Sequence, residues 1–293
     1  MDIEAVVAQA RRHAGLAASR TTLIHRGENI LVGADDAVIR IGRVGEVPGT
    51  TREVAFARWL EERKIPAVRP LPIEQPIEVE GHPVTFWERL PAHRQARPAE
   101  IGEALRRLHA AAAPDIGLPR LDPFARLPQR ISAATTLTDD DRRWLTTRLS
   151  TLREQWNRQG LDAVPHSVIH GDIWAGNVVV LHGTSIPIML DFERCSVGPA
   201  AWDLTSIAIK RTSFAWITDD EYMEFTSAVG DDVTASPHYD LLRDVRELRM
   251  TCYLGQHAAE NPGTPAAQEA ELRLQCLRGT HGPRPWPWTP AAT

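Results

Sequence analysis

Apolar positions fall into two regimes along the chain. Up to about residue 90 they come in short, β-rich runs separated by turn residues; beyond it they recur mostly at helical spacing. Asn29-Ile-Leu-Val and Ala37-Val-Ile-Arg-Ile flank the turn Gly33-Ala-Asp-Asp, which predicts a hairpin. A helix is expected from about Thr50 to Lys64, where Ala55 and Trp59, and Phe56 and Leu60, are spaced i,i+4. Pro66, Pro70, Pro72 and Pro76 then mark an extended stretch, and Val84 to Glu88 reads as another strand. Leu90 to Pro98 looks like a linker. After it, Ile101, Leu105 and Leu108 share a helical face. A further helix should start after Thr138, carry Leu145, Leu149, Leu152 and Trp156 inward, and stop at Gly160. The chain thus reads as α+β in two parts, 1–90 and 91–293, and ends in a Pro-rich tail from Gly282 that predicts an irregular or mobile segment.

The first fifteen residues mix Asp, Glu and Arg with apolar positions and predict an amphipathic helix, not a signal peptide. No run approaches the roughly 18 apolar residues of a membrane span. Hydrophobic content of 43% suits a globular chain with a real core. Net charge is −5, with no basic stripe interleaved with aromatics, which argues against nucleic acid as a partner. Cys195, Cys252 and Cys276 are odd in number and widely spaced, so they suggest idle thiols in a reducing cytosol.

The segment from Val168 to Leu204 concentrates the candidate chemistry. His170-Gly171-Asp172 follows a short apolar run, and Asn177 comes five residues after Asp172. Val178 to Val180 and Ile186 to Leu190 then predict a second hairpin, with Asp191 where its second strand ends. A tight loop followed by a hairpin can bring Asp172, Asn177 and Asp191 around one point. Phosphoryl transfer needs such a set. One carboxylate stands at the acceptor hydroxyl, while a carboxamide oxygen and a second carboxylate face a hard cation. On its own, Asp172 also fits a plain loop Asx-turn.

These residues, with the downstream Gly198-Pro-Ala-Ala-Trp-Asp-Leu, resemble the core of the aminoglycoside phosphotransferase and choline kinase-like family, a relative of the protein kinases. The resemblance implies a bilobal protein-kinase-like fold, with a small β-rich N-lobe and a larger, mainly helical C-lobe. It implies ATP or GTP as phosphate donor and Mg2+ as cofactor. Asp172 becomes the catalytic base, Asn177 and Asp191 the metal ligands, His170 a loop organiser and Asp203 a structural residue. Phe192-Glu193 stands where protein kinases have Phe-Gly. Arg26-Gly27-Glu28-Asn29 falls where a nucleotide-covering loop belongs, Phe86, Trp87, Glu88 and Arg89 where a hinge receives the base, and Leu105 to His109 on the helix after the hinge.

The resemblance also calls for a basic residue in the second strand of the first hairpin. The two lysines, Lys64 and Lys210, lie elsewhere, which leaves Arg40. Arg40 can fork onto phosphate oxygens, or it can be an exposed strand residue opposite Ile39 and Ile41. Glu53 has two readings as well: partner of Arg40, or the far end of a capping box Thr50-Thr-Arg-Glu. Trp174 is either apolar filler or a substrate wall. Asp219 to Glu247 holds nine acidic residues, which read as a solvated helical face or as a pocket for a cationic acceptor. The expected partner is a small polar molecule with a hydroxyl. An aminoglycoside or amino sugar comes first, with choline, homoserine or another antibiotic as alternatives, in an enzyme of resistance or of metabolism. The other class left open is a nucleotide-binding pseudokinase without turnover.

Overall fold

Alternation along the first strands decides how the N-terminal part folds. A computed structural model describes residues 1–17, 20–27, 29–34 and 37–290; Glu28 of the expected covering loop and Asp35 and Asp36 of the first turn lie outside them. Helix α1 (Ile3–His13) is capped by Asp2, whose carboxylate accepts from the Ala5 amide at 3.2 Å. Strands β1 (Thr22–Arg26), β2 (Ile30–Gly33) and β3 (Ala37–Ile41) pair antiparallel, and α2 (Val47–Glu62) follows. Strands β4 (Ile77–Val79) and β5 (His82–Glu88) complete a five-stranded sheet in the order β1-β2-β3-β5-β4. Ala37, Ile39 and Ile41 pack with Val84 and Phe86 against Val6, Val7 and Ala10 of α1. The period of two therefore turns Val38 and Arg40 to the other face of the sheet.

Where a linker was expected, the chain adds a strand. The short β6 (His93–Gln95) is too polar to announce itself, but it pairs with a strand some 85 residues on. Then come α3 (Pro98–His109), α4 (Leu127–Ala133) and α5 (Asp139–Arg158). Helix α5 begins after Thr138 as expected, at a capping box in which Asp141 N–H donates to Thr138 Oγ1 at 3.1 Å and Thr138 N–H donates back to the Asp141 carboxylate at 3.3 Å. Its Leu145, Leu149, Leu152 and Trp156 are buried, and Gly160 follows with φ +65°.

Strand β7 (Ser167–Ile169) leads to the candidate loop, followed by β8 (Val178–Leu181), β9 (Pro187–Met189) and β10 (Ser196–Gly198). β8 pairs with β9 as the expected second hairpin and carries β6 on its other edge, while β10 pairs with β7. The remainder is helical: α6 (Ala201–Thr212), α7 (Asp219–Val229), α8 (Tyr239–Glu260) and α9 (Ala266–Leu277). One large apolar cluster joins these helices to the inner face of α2 through Phe56, Trp59 and Leu60. So α2 packs on the helical part, while α1 and the sheet keep their own core.

The tail is irregular in backbone but not loose. Trp286 and Trp288 are buried with Ile209 and Phe214, and Trp286 N–H donates to the Ser213 carbonyl at 2.7 Å. Proline removes the chain from helices and sheets, not from packing. The three cysteines are buried free thiols. No helix among the described residues is long and apolar enough to cross a membrane.

Candidate active site

The loop after β7 is pinned from below by one carboxylate. Asp203, fully buried on α6, accepts from the backbone amides of His170 and Gly171, both at 2.8 Å, and from His109 Nε2 at 3.0 Å. Burial pushes its carboxyl upward, but the His109 hydrogen bond and the charges of His109, His170 and Arg246 outweigh this and hold it below the ordinary value. His170 Nε2 is hydrogen-bonded to the Leu190 carbonyl at 2.9 Å. His170 is thus the buried organiser expected of it, and Asp203 the structural residue. Gly171 takes φ +83°, and a Cβ there would come 2.3 Å from the Arg194 carbonyl oxygen. Only glycine permits that approach. The turn leaves Asp172 exposed between the two parts of the molecule.

Asn177 ends a 3-10 turn and donates its side-chain amide to the Asp172 carbonyl at 2.8 Å, which leaves its carboxamide oxygen as a free acceptor. Its backbone carbonyl accepts from Leu190 N–H at 2.9 Å, so the residue before Asp191 is tied to it. Asp191 adopts φ +57°, a left-handed conformation that costs a non-glycine residue on the order of 1 kcal/mol or more. Desolvation by the cleft walls raises the Asp191 carboxyl above its ordinary range; Glu193 and Asp172 add to the rise, and Arg40 and His170 oppose it. A carboxylate and a free carboxamide oxygen on two residues tied through the Leu190 amide are donor types suited to a hard divalent cation. No group of three or more His, Cys, Asp or Glu among the described residues forms a closed metal cage.

Arg40 lies on the sheet face away from α1, opposite Thr85 of β5, and is ion-paired with Glu53 of α2. Because α2 begins at Val47, Thr50 is already helical and the capping box Thr50–Glu53 does not form. Glu53 also accepts from the Phe192 amide at 3.3 Å, so one buried carboxylate ties β3, α2 and the segment after Asp191 together. Glu193 was named in sequence only as a replacement for glycine. It proves to be the meeting point of four guanidinium groups, with Arg126 at 3.2 Å, Arg40 at 3.4 Å, and Arg43 and Arg194 at 3.7 Å. Burial would raise its carboxyl, but the arginines, Arg194 first, carry it below its ordinary value. Asn29 joins this group: with its carboxamide oxygen turned toward Arg40 it accepts from Nη2 at 2.8 Å.

The hinge residues divide. Phe86 is fully buried beside Ile39 in the core under α1, on the face opposite Arg40, so the structure does not bring its side chain to the site. Strand alternation is the physical reason. Trp87 shares the face of Arg40, but its indole is packed in the large core and donates to Thr85 Oγ1 at 2.9 Å. Glu88 is exposed, and Arg89 donates to the Ala34 carbonyl at 3.1 Å, closing the hinge against the first hairpin. Trp174 is half-buried and lies over Gly176, where a Cβ would meet its ring at 2.3 Å.

Six of the nine acids of the acidic segment are engaged with other parts of the chain. Asp244 pairs with Arg148 at 2.7 Å and Arg243 at 3.1 Å, Glu247 with Arg284 at 2.5 Å, Asp219 with Arg211 at 2.5 Å, and Asp240 with Arg243 at 2.7 Å. Asp232 accepts from Tyr222 and Thr234, and Glu221 closes a capping box with Thr218. The charges that act with Asp172 include Lys210, Arg246 and Arg249, of which the sequence had singled out only Lys210, as a lysine outside the first hairpin.

A sequence model described as the phosphotransferase enzyme family matches residues 9–245. No curated protein matches the chain. Among solved structures, an amicoumacin kinase in complex with AMP-PNP and Ca2+ superposes with a TM-score of 0.73 at 14% identity, covering 99% of this chain and 96% of that one. A microcompartment-associated aminopropanol kinase gives 0.71 at 16%, covering 95% and 98%. A choline/ethanolamine kinase family protein from Mesorhizobium loti gives 0.64 at 18%, covering 94% of each. At these identities the likeness is one of fold, and that fold is the α+β, protein-kinase-like arrangement expected.

Proposed function

The chain belongs to the phosphotransferase enzyme family, and on that premise we propose that it moves the γ-phosphoryl group of ATP or GTP to a hydroxyl of a small polar molecule. The reading rests on one observation above all. The loop carrying Asp172 is fastened to Asn177, Asn177 to the residue before Asp191, and the segment after Asp191 to the Arg40–Glu53 pair. Phosphoryl transfer is carried mainly by positioning and charge neutralisation, and this chain of contacts fixes the groups that do both.

In the proposed reaction Asp172 orients the acceptor hydroxyl and takes its proton. The hydroxyl oxygen forms a bond to the γ-phosphorus, the bond to the β,γ-bridging oxygen breaks, and the nucleoside diphosphate leaves. Asn177 and Asp191 would hold Mg2+, which would neutralise charge on the β- and γ-phosphates. Arg40, positioned by Glu53, would bind phosphate oxygens. Glu88 and Arg89 border the place for the base; Phe86 and Trp87 support that edge from within the packing. The amicoumacin and aminopropanol acceptors belong to the proteins named for them, and only the shared chemistry carries over. The amino-sugar or aminoglycoside acceptor that the resemblance implies keeps less local support, since six of the nine acids read as its pocket are engaged in caps, hydrogen bonds and ion pairs.

Coupled release of ADP or GDP tests the proposal, with Mg-ATP and Mg-GTP run against pooled cationic, neutral and anionic hydroxy compounds. Acceptor-dependent release should fall by about 10²–10⁴ in Asp172→Ala while nucleotide binding persists. Equal turnover in that variant would remove Asp172 from the role of base.

A further inference from the structure

Eight of the nine tryptophans belong to an apolar cluster or pack against one; the ninth, Trp174, does neither. Among the described residues its indole has no hydrogen bond and no aromatic partner. A large ring left half-exposed forgoes the burial that such a side chain ordinarily contributes. Nor does it stand at the periphery. It comes two residues after Asp172 and three before Asn177, inside the candidate loop.

The backbone at Trp174 is nearly fully extended, with φ −164° and ψ 175°. Successive side chains of an extended chain point to opposite sides, and burial along the loop follows that alternation. Asp172 is exposed, Ile173 is buried in the large core, Trp174 is half-exposed, and Ala175 packs against the core again. Asp172 and Trp174 therefore share the outward side of the loop, with Cα atoms no more than about 7 Å apart. The two are held in this relation. Asn177 N–H donates to the Trp174 carbonyl at 2.9 Å, and the Asn177 side-chain amide donates to the Asp172 carbonyl at 2.8 Å. Gly176 makes room for the indole, since a Cβ there would lie 2.3, 2.4 and 2.7 Å from Cη2, Cζ2 and Cζ3 of the ring. One end of the ring rests on bare backbone, and the rest of it stays open beside the candidate base.

We propose that Trp174 is the platform on which the acceptor lies while its hydroxyl meets Asp172, and that this acceptor is an uncharged ring polyol, a sugar or cyclitol whose C–H face stacks on the indole. The proposal deepens the phosphotransferase reading and rests on it for the role of Asp172. An aromatic face is completed by a flat apolar one. A ring polyol offers C–H groups on its face and hydroxyls at its rim, so a rim hydroxyl falls within the span between Trp174 and Asp172. An open-chain polyol makes the same contact only by freezing its rotatable bonds. A cation also binds to an indole. Here, however, the Arg246 guanidinium donates to the Gly171 carbonyl at 3.2 Å and lies 3.8 Å from the Trp202 ring centre, a fixed positive charge behind Asp172. It disfavours an ammonium group on the same loop.

Saturation-transfer NMR titrations of the full chain, saturated with Mg-AMP-PNP and irradiated at its aromatic protons, test this. Glucose and myo-inositol are the ring probes, sorbitol the open-chain probe and choline the cationic one. A ring probe should bind about three- to tenfold tighter than sorbitol, the scale of one aromatic stacking contact, and take up saturation on its C–H protons. Trp174→Ala should erase that preference, and Trp174→Phe, which keeps an aromatic face, should retain most of it. Mg-AMP-PNP affinity, read by calorimetry, should change less than about twofold in both, which also shows that they fold. Should Trp174→Ala not fold, Trp174→Leu carries the same test, with bulk but no aromatic face. Ring probes that bind no tighter than sorbitol, or a ring preference that survives in Trp174→Ala, overturn the proposal. So does a preference for choline that is lost in that variant, which would make the indole a cation site. Failure of Mg-AMP-PNP to bind the wild type would sink the phosphotransferase reading instead, with the ring preference still readable on the free chain.

Discussion

The carboxylate of Glu53 is ion-paired with the guanidinium of Arg40 inside the molecule, their side chains 3% and 13% exposed. The pair is not electrically relaxed. Burial, with Asp191 and Glu193 nearby, lifts the Glu53 carboxyl to about 7 despite Arg40. An acid whose folded value lies above its unfolded one holds its proton longer in the native state. Its contribution to stability is therefore complete below about 4.5 and is lost as pH rises through about 7. The nucleotide-free protein should melt at lower temperature at pH 8 than at pH 5.5 in part for this reason. Glu53→Gln should flatten that slope and raise the KM for nucleotide, because Arg40 loses its anchor. An unchanged melting profile in the variant would show that Glu53 carries no such proton.

Gly171 meets Arg194 at a distance that no side chain can share. A Cβ would lie 2.3 Å from the Arg194 carbonyl oxygen, in a backbone conformation with φ +83°. Gly171→Ala must therefore move either the loop that carries Asp172 or the segment after Asp191, at a cost of about 2–4 kcal/mol. Urea denaturation measures the cost, and turnover should fall more than nucleotide affinity. Recovery of full activity with less than about 0.5 kcal/mol lost would mean that the loop has slack the geometry denies.

Legibility in the sequence followed the range of the interactions. Asp172, Asn177 and Asp191 could be picked out as candidates, and a loop and a hairpin that set their spacing locally tie them together in the fold. The fold class was readable from the change of period near residue 90. Glu53 could not be decided, since its partner Arg40 and a local cap explain the same letter equally well; only the start of α2 at Val47 separates them. The acidic run could not be divided between its two readings, because several of its ion partners are distant in sequence, Arg148 for Asp244 and Arg284 for Glu247. Lys210 drew notice only as a lysine in the wrong place. The meeting of α6 with the loop of His170 and Gly171 is a tertiary fact with no local signal.

The tail holds the far end of the same helix. Trp286 N–H donates to the Ser213 carbonyl just past α6, Trp216 Nε1–H donates to the Trp288 carbonyl at 2.7 Å, and Trp288 stacks on Phe214 with ring centroids 4.6 Å apart. Ending the chain after Gly282 should uncover Phe214 and Ile209 and cost about 3–5 kcal/mol, the scale of losing a buried aromatic. The denaturation midpoint checks it. An unshifted midpoint would return the tail to the mobile segment that its prolines suggest.

Lys210 gives the last prediction, because a cation drawn out of water weighs on the folded protein. Burial lowers its folded value to about 8, against an ordinary value of 10.5. Below pH 8 the lysine is charged in both the folded and unfolded states, and the desolvation cost is fully present. As pH rises from about 8 to 10.5 the native state releases its proton first, and the cost is relieved. Lys210→Met keeps the stem and removes the charge, so it should stabilise the ligand-free protein by about 1–3 kcal/mol at pH 7. The gain should shrink toward zero near pH 10. Equilibrium denaturation at pH 7 and pH 10 reads the effect. Destabilisation by Lys210→Met at both pH values would mean that the ammonium already has its partner within the fold.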